Sequence, residues 1–122
     1  PYESAWVTGS RKLNGPVAED VANFYAAAGL SSASLLNELP DFFGNELEFL
    51  YFLDALFDEV RGKGNQEQLL KDIQGLSDAF RAEHFDKWFE PFLDAIAENT
   101  SQDFWKEASA ALKAELRRTQ AV

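Results

Sequence analysis

Carboxylates are the most abundant reactive side chains of this sequence, with 21 Asp and Glu residues among 122, whereas His84 is the only histidine and cysteine is absent. A histidine-rich metal site, a thiolate site and a cysteine nucleophile are therefore excluded, and an HExxH zinc motif would lack its second ligand. Gly62-Lys63-Gly64 has neither the spacing nor the final Ser or Thr of a phosphate-binding loop, and it is interpreted as the end of a helix. The sequence predicts no catalytic residue, no metal and no bound cofactor.

The most distinctive segment is NELPDFFGNELEFL, residues 37–50, in which a Pro-Asp turn directly precedes an apolar helix. Such a turn is predicted to project Asp41, Phe42 and Phe43 from a stiff corner. An acidic group beside aromatic rings on a rigid corner suits a cationic, partly apolar peptide. The alternative interpretation is that Asp41 caps the following helix and that both phenylalanines fill the core.

Acidic side chains also accompany aromatic ones beyond this corner. Glu46 and Glu48 enter the first turns of the following helix, where a carboxylate offsets the positive helix end. A second pairing occurs at Glu83-His84-Phe85 with Trp88, at a predicted break between two helices. His84 is interpreted either as a ligand-facing residue or as a core histidine that donates a hydrogen bond at a helix end.

The composition indicates one globular domain, since 46% of the residues are apolar and chains of about 100 to 150 residues usually bury a single core. A formal net charge of −10 argues against a nucleic-acid binder, because such affinity comes from Lys and Arg, and it favours cationic partners. The longest strongly apolar stretch, Phe49 to Leu53, is far shorter than the roughly 20 residues that a membrane-spanning helix needs. No membrane insertion is predicted.

Apolar residues recur at spacings of three and four along most of the chain, which predicts an all-α bundle with short connections and no strand. Five main helices are predicted. The first spans Val17–Ala28, the second includes residues 47–56 and ends at Gly62, the third begins at residues 65–67, the fourth spans Trp88–Glu98, and the fifth begins at about residue 103. The second of these is apolar on most sides and is expected to be buried and central. A short turn is expected around Leu35 and Leu36, and Phe104 and Trp105 are assigned to the core face of the last helix.

Several short motifs follow one another along the chain. They are Pro-Tyr-Glu-Ser-Ala-Trp at 1–6, Gly15-Pro16 followed by Phe24, Tyr25 and Gly29-Leu30, Glu38-Leu39-Pro40-Asp41 running into Glu46-Leu47-Glu48-Phe49-Leu50, then Phe80, His84 and Trp88, and finally Phe104-Trp105. In this order they resemble the TorD/DmsD family of cytoplasmic chaperones for molybdenum-cofactor oxidoreductases, which includes NarJ-like members. The resemblance covers essentially all 122 residues.

Two features depart from the pattern of that family. Many members carry histidine directly after the aspartate of this motif, whereas Phe42 follows Asp41 here, so the contribution of that imidazole is not carried over. Family members are also usually longer, with further helices ahead of the segment that matches Pro1. We therefore expect residues 1–122 to be a single all-α domain that corresponds to the C-terminal portion of the TorD-like fold. Such a domain is expected to pair with a second copy, to exchange segments with it or to retain a cleaved partner piece.

The resemblance implies a cytoplasmic chaperone without enzymatic activity. It would bind the twin-arginine signal peptide and the apo form of a partner molybdenum oxidoreductase, and hold the partner back from export until cofactor insertion is complete. The net negative charge of the chain is consistent with this role, because it would attract the two arginines of the leader. The apolar segment of the leader would need an aromatic or leucine-lined groove.

The sequence also gives a set of predicted peptide-binding residues. These are Tyr2, Trp6, Pro40, Asp41, Phe42, Glu46, Glu48, His84 and Trp88. The three carboxylates are expected at the basic end of the leader, and the ring-bearing residues are expected to form a groove or hinge. The alternative function is a helical adaptor or interaction domain that has no specificity for a leader peptide.

Overall fold

The computed structural model describes residues 2–9, 15–30 and 39–120. The helices in these ranges are α1 (Glu3–Thr8), α2 (Pro16–Ala27), α3 (Phe43–Lys63), α4 (Glu67–Glu83), a 3-10 turn (Phe85–Lys87), α5 (Phe89–Glu98) and α6 (Asp103–Gln120). Within this part of the chain the β pairing is limited to an isolated antiparallel bridge between Tyr2 and Phe42, so the all-α prediction is confirmed. None of these helices is long and apolar enough to cross a membrane. The turn expected around Leu35 and Leu36 lies outside the described residues.

The ends of the helices follow local sequence signals. Pro16 occupies the first position of α2, where its missing N–H group costs no hydrogen bond. Gly29 follows the other end of α2 with a φ of +81°, which allows the N–H of Leu30 to bond the carbonyl of Tyr25 at 2.9 Å. The predicted break at residues 84–87 is present as the 3-10 turn, and Pro91 falls within the first turn of α5. Helix boundaries therefore agree with the predictions to within a few residues.

Contacts divide the chain into two compact units, Pro1–Lys87 and Trp88–Val122. The core of the first unit is aromatic and centres on Phe80 of α4, which is fully buried. The ring centroid of Phe80 lies 5.4 Å from that of Phe24, 6.1 Å from that of Tyr25 and 4.8 Å from that of Phe49. These contacts join α2, α3 and α4 through a single ring.

The central position predicted for α3 is only partly correct. Phe49, Leu50 and Leu53 lie on one buried face, whereas the side chain of Tyr51 on the opposite face is 49% exposed. The apolar residues that the sequence places on most sides of this helix are therefore not all used for packing. Only the face that carries the 3.6-residue repeat is buried.

The second unit consists of α5 and α6. Leu93 and Leu116 are buried in it, and two ion pairs join the helices, Arg117 with Glu90 and Lys113 with Asp94.

The assignment of Phe104 and Trp105 to the core is wrong. Their side chains are 68% and 50% exposed, and their rings contact each other with centroids 5.0 Å apart. Both side chains are exposed because the two residues lie in the first turn of α6. That turn precedes the stretch of α6 in which Ser109 and Leu116 are buried.

Candidate functional site

The Pro-Asp turn is fixed by hydrogen bonds from the helices on either side of it. We call Leu39–Phe42 the Asp41 corner. The backbone N–H of Phe42 donates to the carbonyl of Leu39 at 3.0 Å. The side-chain Nδ2 of Asn45 in α3 donates to the same carbonyl, also at 3.0 Å. From α2, the hydroxyl of Tyr25 donates to the carbonyl of Pro40 at 2.5 Å. The turn predicted from the sequence is therefore present, and bonds from α2 and α3 hold it in place.

Asp41 itself points inward, which corrects the prediction that it projects from the corner. Its side chain is fully buried, and Oδ2 accepts a hydrogen bond from the N–H of Ser4 at 2.8 Å. The carbonyl of Asp41 accepts a second bond from the N–H of Glu3 at 2.9 Å. Both donors belong to the first turn of α1, whose N-cap residue Tyr2 supplies no side-chain acceptor. Asp41 thus acts as a cap, but for the distant α1 and not for the helix that follows it.

The aromatic residues of the corner are divided between the core and the surface. Phe43 is buried and stacks on Phe85 with centroids 5.6 Å apart. Phe42 is half-buried and pairs with Tyr2, both through the backbone bridge and through rings whose centroids lie 5.7 Å apart. Trp6, on the same short helix as Ser4, is 41% exposed. The corner therefore presents aromatic edges while its carboxylate is hidden.

His84 connects three helices and has carboxylate partners on both ring nitrogens. It lies at the C-terminal end of α4, is 5% exposed, and places Nδ1 2.8 Å from Oε2 of Glu3 in α1. Its Nε2 lies 2.5 Å from Oδ2 of Asp20 in α2, whose side chain is 55% exposed. Burial alone would lower the pKa of His84, but the hydrogen bonds and charges of Glu3 and Asp20 outweigh it and raise that pKa. The interpretation of His84 as a core histidine at a helix end is the one that the geometry supports.

Sequence reasoning did not assign Glu3 or Asp20 to the site. Glu3 is 81 positions away from His84 in the chain, and no periodicity relates residues so far apart. Glu3 is also only 1% exposed, which is unusual for a glutamate in a short lead-in segment. Its neighbours in the sequence gave no signal of this burial.

Buried negative charge is concentrated around Tyr25. Glu3, Asp41 and Glu46 are each at most 1% exposed. Burial of Tyr25, reinforced by these three carboxylates, raises the pKa of its hydroxyl above the usual value, so the hydroxyl stays protonated and donates to Pro40. The resulting environment favours a cation over another anion.

The nine predicted peptide-binding residues fall into two groups by exposure. Tyr2, Trp6, Pro40, Phe42 and Glu48 are exposed or half-buried, whereas Asp41, Glu46, His84 and Trp88 are buried. In the first unit the structure brings Tyr2, Pro40, Asp41 and Phe42 together at the corner, and Glu3 links His84 to them. Trp88 belongs to the second unit.

Two other features of the described residues have the composition or shape of a ligand site. Asp20, Glu83 and His84 place potential metal-binding atoms within 4.8 Å of one another. The 2.5 Å separation of His84 Nε2 from Asp20 is a hydrogen-bond distance that leaves no space for an ion between them, so we assign no metal there. A cleft of about 180 Å³ between α5 and α6, lined by Leu93, Lys106 and Lys113 among others, contains none of the nine predicted residues.

A family of known proteins matches most of this chain. A family model described as the nitrate reductase delta subunit matches residues 1–94 of the 122, which span α1 to α4 and part of α5. Neither the curated proteins nor the solved structures gave a match. The matched range contains the Asp41 corner, His84 and its two carboxylate partners. The chain therefore belongs to the nitrate reductase delta subunit family, a family of chaperones for molybdoenzyme maturation and not of enzymes.

Proposed function

We propose that this chain is a cytoplasmic, system-specific chaperone that binds the twin-arginine signal peptide and the apo form of a molybdenum oxidoreductase. In this role it assists cofactor insertion and delays export of the client. The observation that carries the proposal is the family match over residues 1–94, since the family implies partnership with a molybdoenzyme subunit.

The charge of the chain supports a leader with two adjacent arginines. A net charge of −10 attracts a basic segment over the Debye length of roughly 10 Å and raises its rate of encounter. Glu48, which is exposed on α3, and the buried carboxylates around Tyr25 contribute to this field. Electrostatic attraction brings the leader to the surface, but it does not by itself give a long-lived complex.

The aromatic edges of the corner support binding of the apolar part of the leader. Tyr2 and Phe42 are half-buried with ring centroids 5.7 Å apart, and Trp6 on the adjoining α1 is 41% exposed. Rings of this kind give large contact area with little loss of side-chain entropy, which is why they are common at binding surfaces. We therefore place the first contacts of the leader at these three residues and at Glu48.

Titration of a labelled leader peptide tests the proposal. A peptide with the Arg pair is compared with one in which both arginines are replaced by lysine, at two salt concentrations. Arg and Lys carry the same charge but differ in geometry, so a specific site is expected to bind the Arg peptide at least about tenfold more tightly. Equal affinities that fall together with salt would favour the alternative, an adaptor domain with no leader specificity.

A further inference from the structure

We propose that α1 is an autoinhibitory strap over the Asp41 corner, and that the basic end of a leader reaches Asp41 only after α1 has moved away. This inference rests on the proposed function and adds regulation to the same site. Its starting point is that the carboxylate expected to meet an arginine is occupied by the chain's own backbone.

The start of α1 is joined to the corner by hydrogen bonds and a ring contact. The N–H groups of Glu3 and Ser4 donate to the carbonyl and to Oδ2 of Asp41, at 2.9 and 2.8 Å. Tyr2, directly ahead of them, forms the bridge and ring contact with Phe42. A leader that engaged Asp41 and Phe42 would therefore have to use the groups that the strap now occupies.

The attachment of α1 is polar and small. The helix has six residues, and its buried members are Glu3 and Ser4, while Trp6 and Val7 are 41% and 45% exposed. A helix of this length has no stability of its own in water, so it depends on its contacts with the rest of the chain. The ion pair between Glu3 and His84 is the charged tether among them. Segments held in this way are the ones that open first, before the packed core.

The strap satisfies Asp41 incompletely. Within the described part of the chain, Oδ1 of Asp41 and the hydroxyl of Ser4 are buried without a hydrogen-bond partner. A guanidinium group presents two parallel N–H donors that match both oxygens of a carboxylate. An arginine side chain would thus satisfy both oxygens of Asp41, where the strap satisfies one, and this difference favours displacement of the strap by the leader.

A reversible cross-link is the sharpest test. The chain has no cysteine, so Tyr2→Cys with Phe42→Cys introduces one pair at the antiparallel bridge. Paired residues of an antiparallel bridge generally have Cα atoms about 4.5 to 5.5 Å apart, which is within the range of a disulfide. Oxidation would fix the strap in place, and reduction would release it in the same molecule. Because Tyr2 and Phe42 are proposed contacts of the leader, the reduced variant is expected to bind it more weakly than the cysteine-free chain. The oxidised form is expected to bind at least about tenfold more weakly than the reduced form, because its binding-competent state is depleted. Equal affinities would overturn the inference, and the cysteine-free chain treated with the same oxidant is the control.

A second variant keeps both aromatic rings. Glu3→Gln removes the charged tether, and it is expected to bind the leader several-fold more tightly than the unmodified chain, because a larger fraction of the molecules is open. Equal or weaker binding by this variant, with helicity retained, would contradict the strap.

Hydrogen exchange of the Ser4 amide gives a readout that does not depend on leader binding. In the unmodified chain this amide is expected to exchange well before the amides around Phe80, and Glu3→Gln is expected to accelerate it further. Exchange of Ser4 only together with the core would overturn the strap even if the leader binds. Conversely, a chain whose strap opens but which binds no leader would refute the proposed function and leave the conformational change established.

Discussion

The buried pair of Glu3 and His84 is expected to make the stability of the protein depend on pH. Glu3 is 1% exposed and His84 5% exposed, and their closest atoms are 2.8 Å apart. Removing one partner of a buried ion pair leaves the other charge without compensation, at a cost of about 3 to 5 kcal/mol. We expect His84→Gln to lower the free energy of unfolding by about this amount. The double variant with Glu3→Gln should lose less than the sum of the single variants, by about 1 to 3 kcal/mol.

The sign of the pH dependence follows from the raised pKa of His84. The folded state binds the proton more tightly than the unfolded state, in which the pKa is about 6.5. The stabilisation is therefore fully present below about pH 6.5 and is lost as the pH rises through the folded-state pKa. Over that interval the free energy of unfolding should fall with a slope of at most about 1.4 kcal/mol per pH unit.

Urea unfolding followed by circular dichroism, at several values between about pH 6 and pH 9, measures this slope. The control is Asp20→Asn, because the side chain of Asp20 is 55% exposed and its pair should contribute less than about 1 kcal/mol. Parallel pH profiles for the unmodified chain and His84→Gln would refute the reasoning. So would strictly additive effects of the Glu3 and His84 substitutions.

Three further predictions concern binding and packing. Asp41→Asn keeps the volume of the side chain but removes its charge, so leader binding measured by peptide titration should weaken by about tenfold or more. The control is Asp58→Asn on the exposed face of α3, which should leave leader binding unchanged. Phe80→Ala should lower the free energy of unfolding by about 3 to 5 kcal/mol in urea titrations, because it removes the ring that joins α2, α3 and α4; a loss below 1 kcal/mol would contradict its central role. Gly29→Ala should lower the free energy of unfolding by roughly 1 to 2 kcal/mol, because residue 29 has a φ of +81°. Gly75→Ala, in the middle of α4, should raise the free energy of unfolding slightly, because alanine favours a helix more than glycine does. Thermal unfolding of both variants measures this contrast.

The fold was largely predictable because its signals are local. Pro16 at the start of α2, Gly29 after its end and the three-four spacing of apolar residues each act within one or two turns of helix. The same local rules failed for Phe104 and Trp105, because periodicity shows which residues share a face but not whether a second element covers it.

The candidate site was predictable only in part. A turn at the Asp41 corner follows from its Pro-Asp pair, and the structure has a turn there that hydrogen bonds from Asn45 and Tyr25 hold. The inward orientation of Asp41 depends on Ser4, and the burial of His84 depends on Glu3, at separations of 37 and 81 positions. Tertiary packing decides such pairings, and a single sequence carries no periodic signal for them.

The contact between residues 3 and 84 also bears on how the protein folds during synthesis. A ribosome adds about 5 to 20 residues per second, so Glu3 leaves it roughly 4 to 16 seconds before His84 does. During that interval α1 has no ionic partner, and with six residues it does not persist as an isolated helix. The nascent chain therefore passes through a stage in which α1 is present but the ion pair that holds it to the end of α4 has not yet formed.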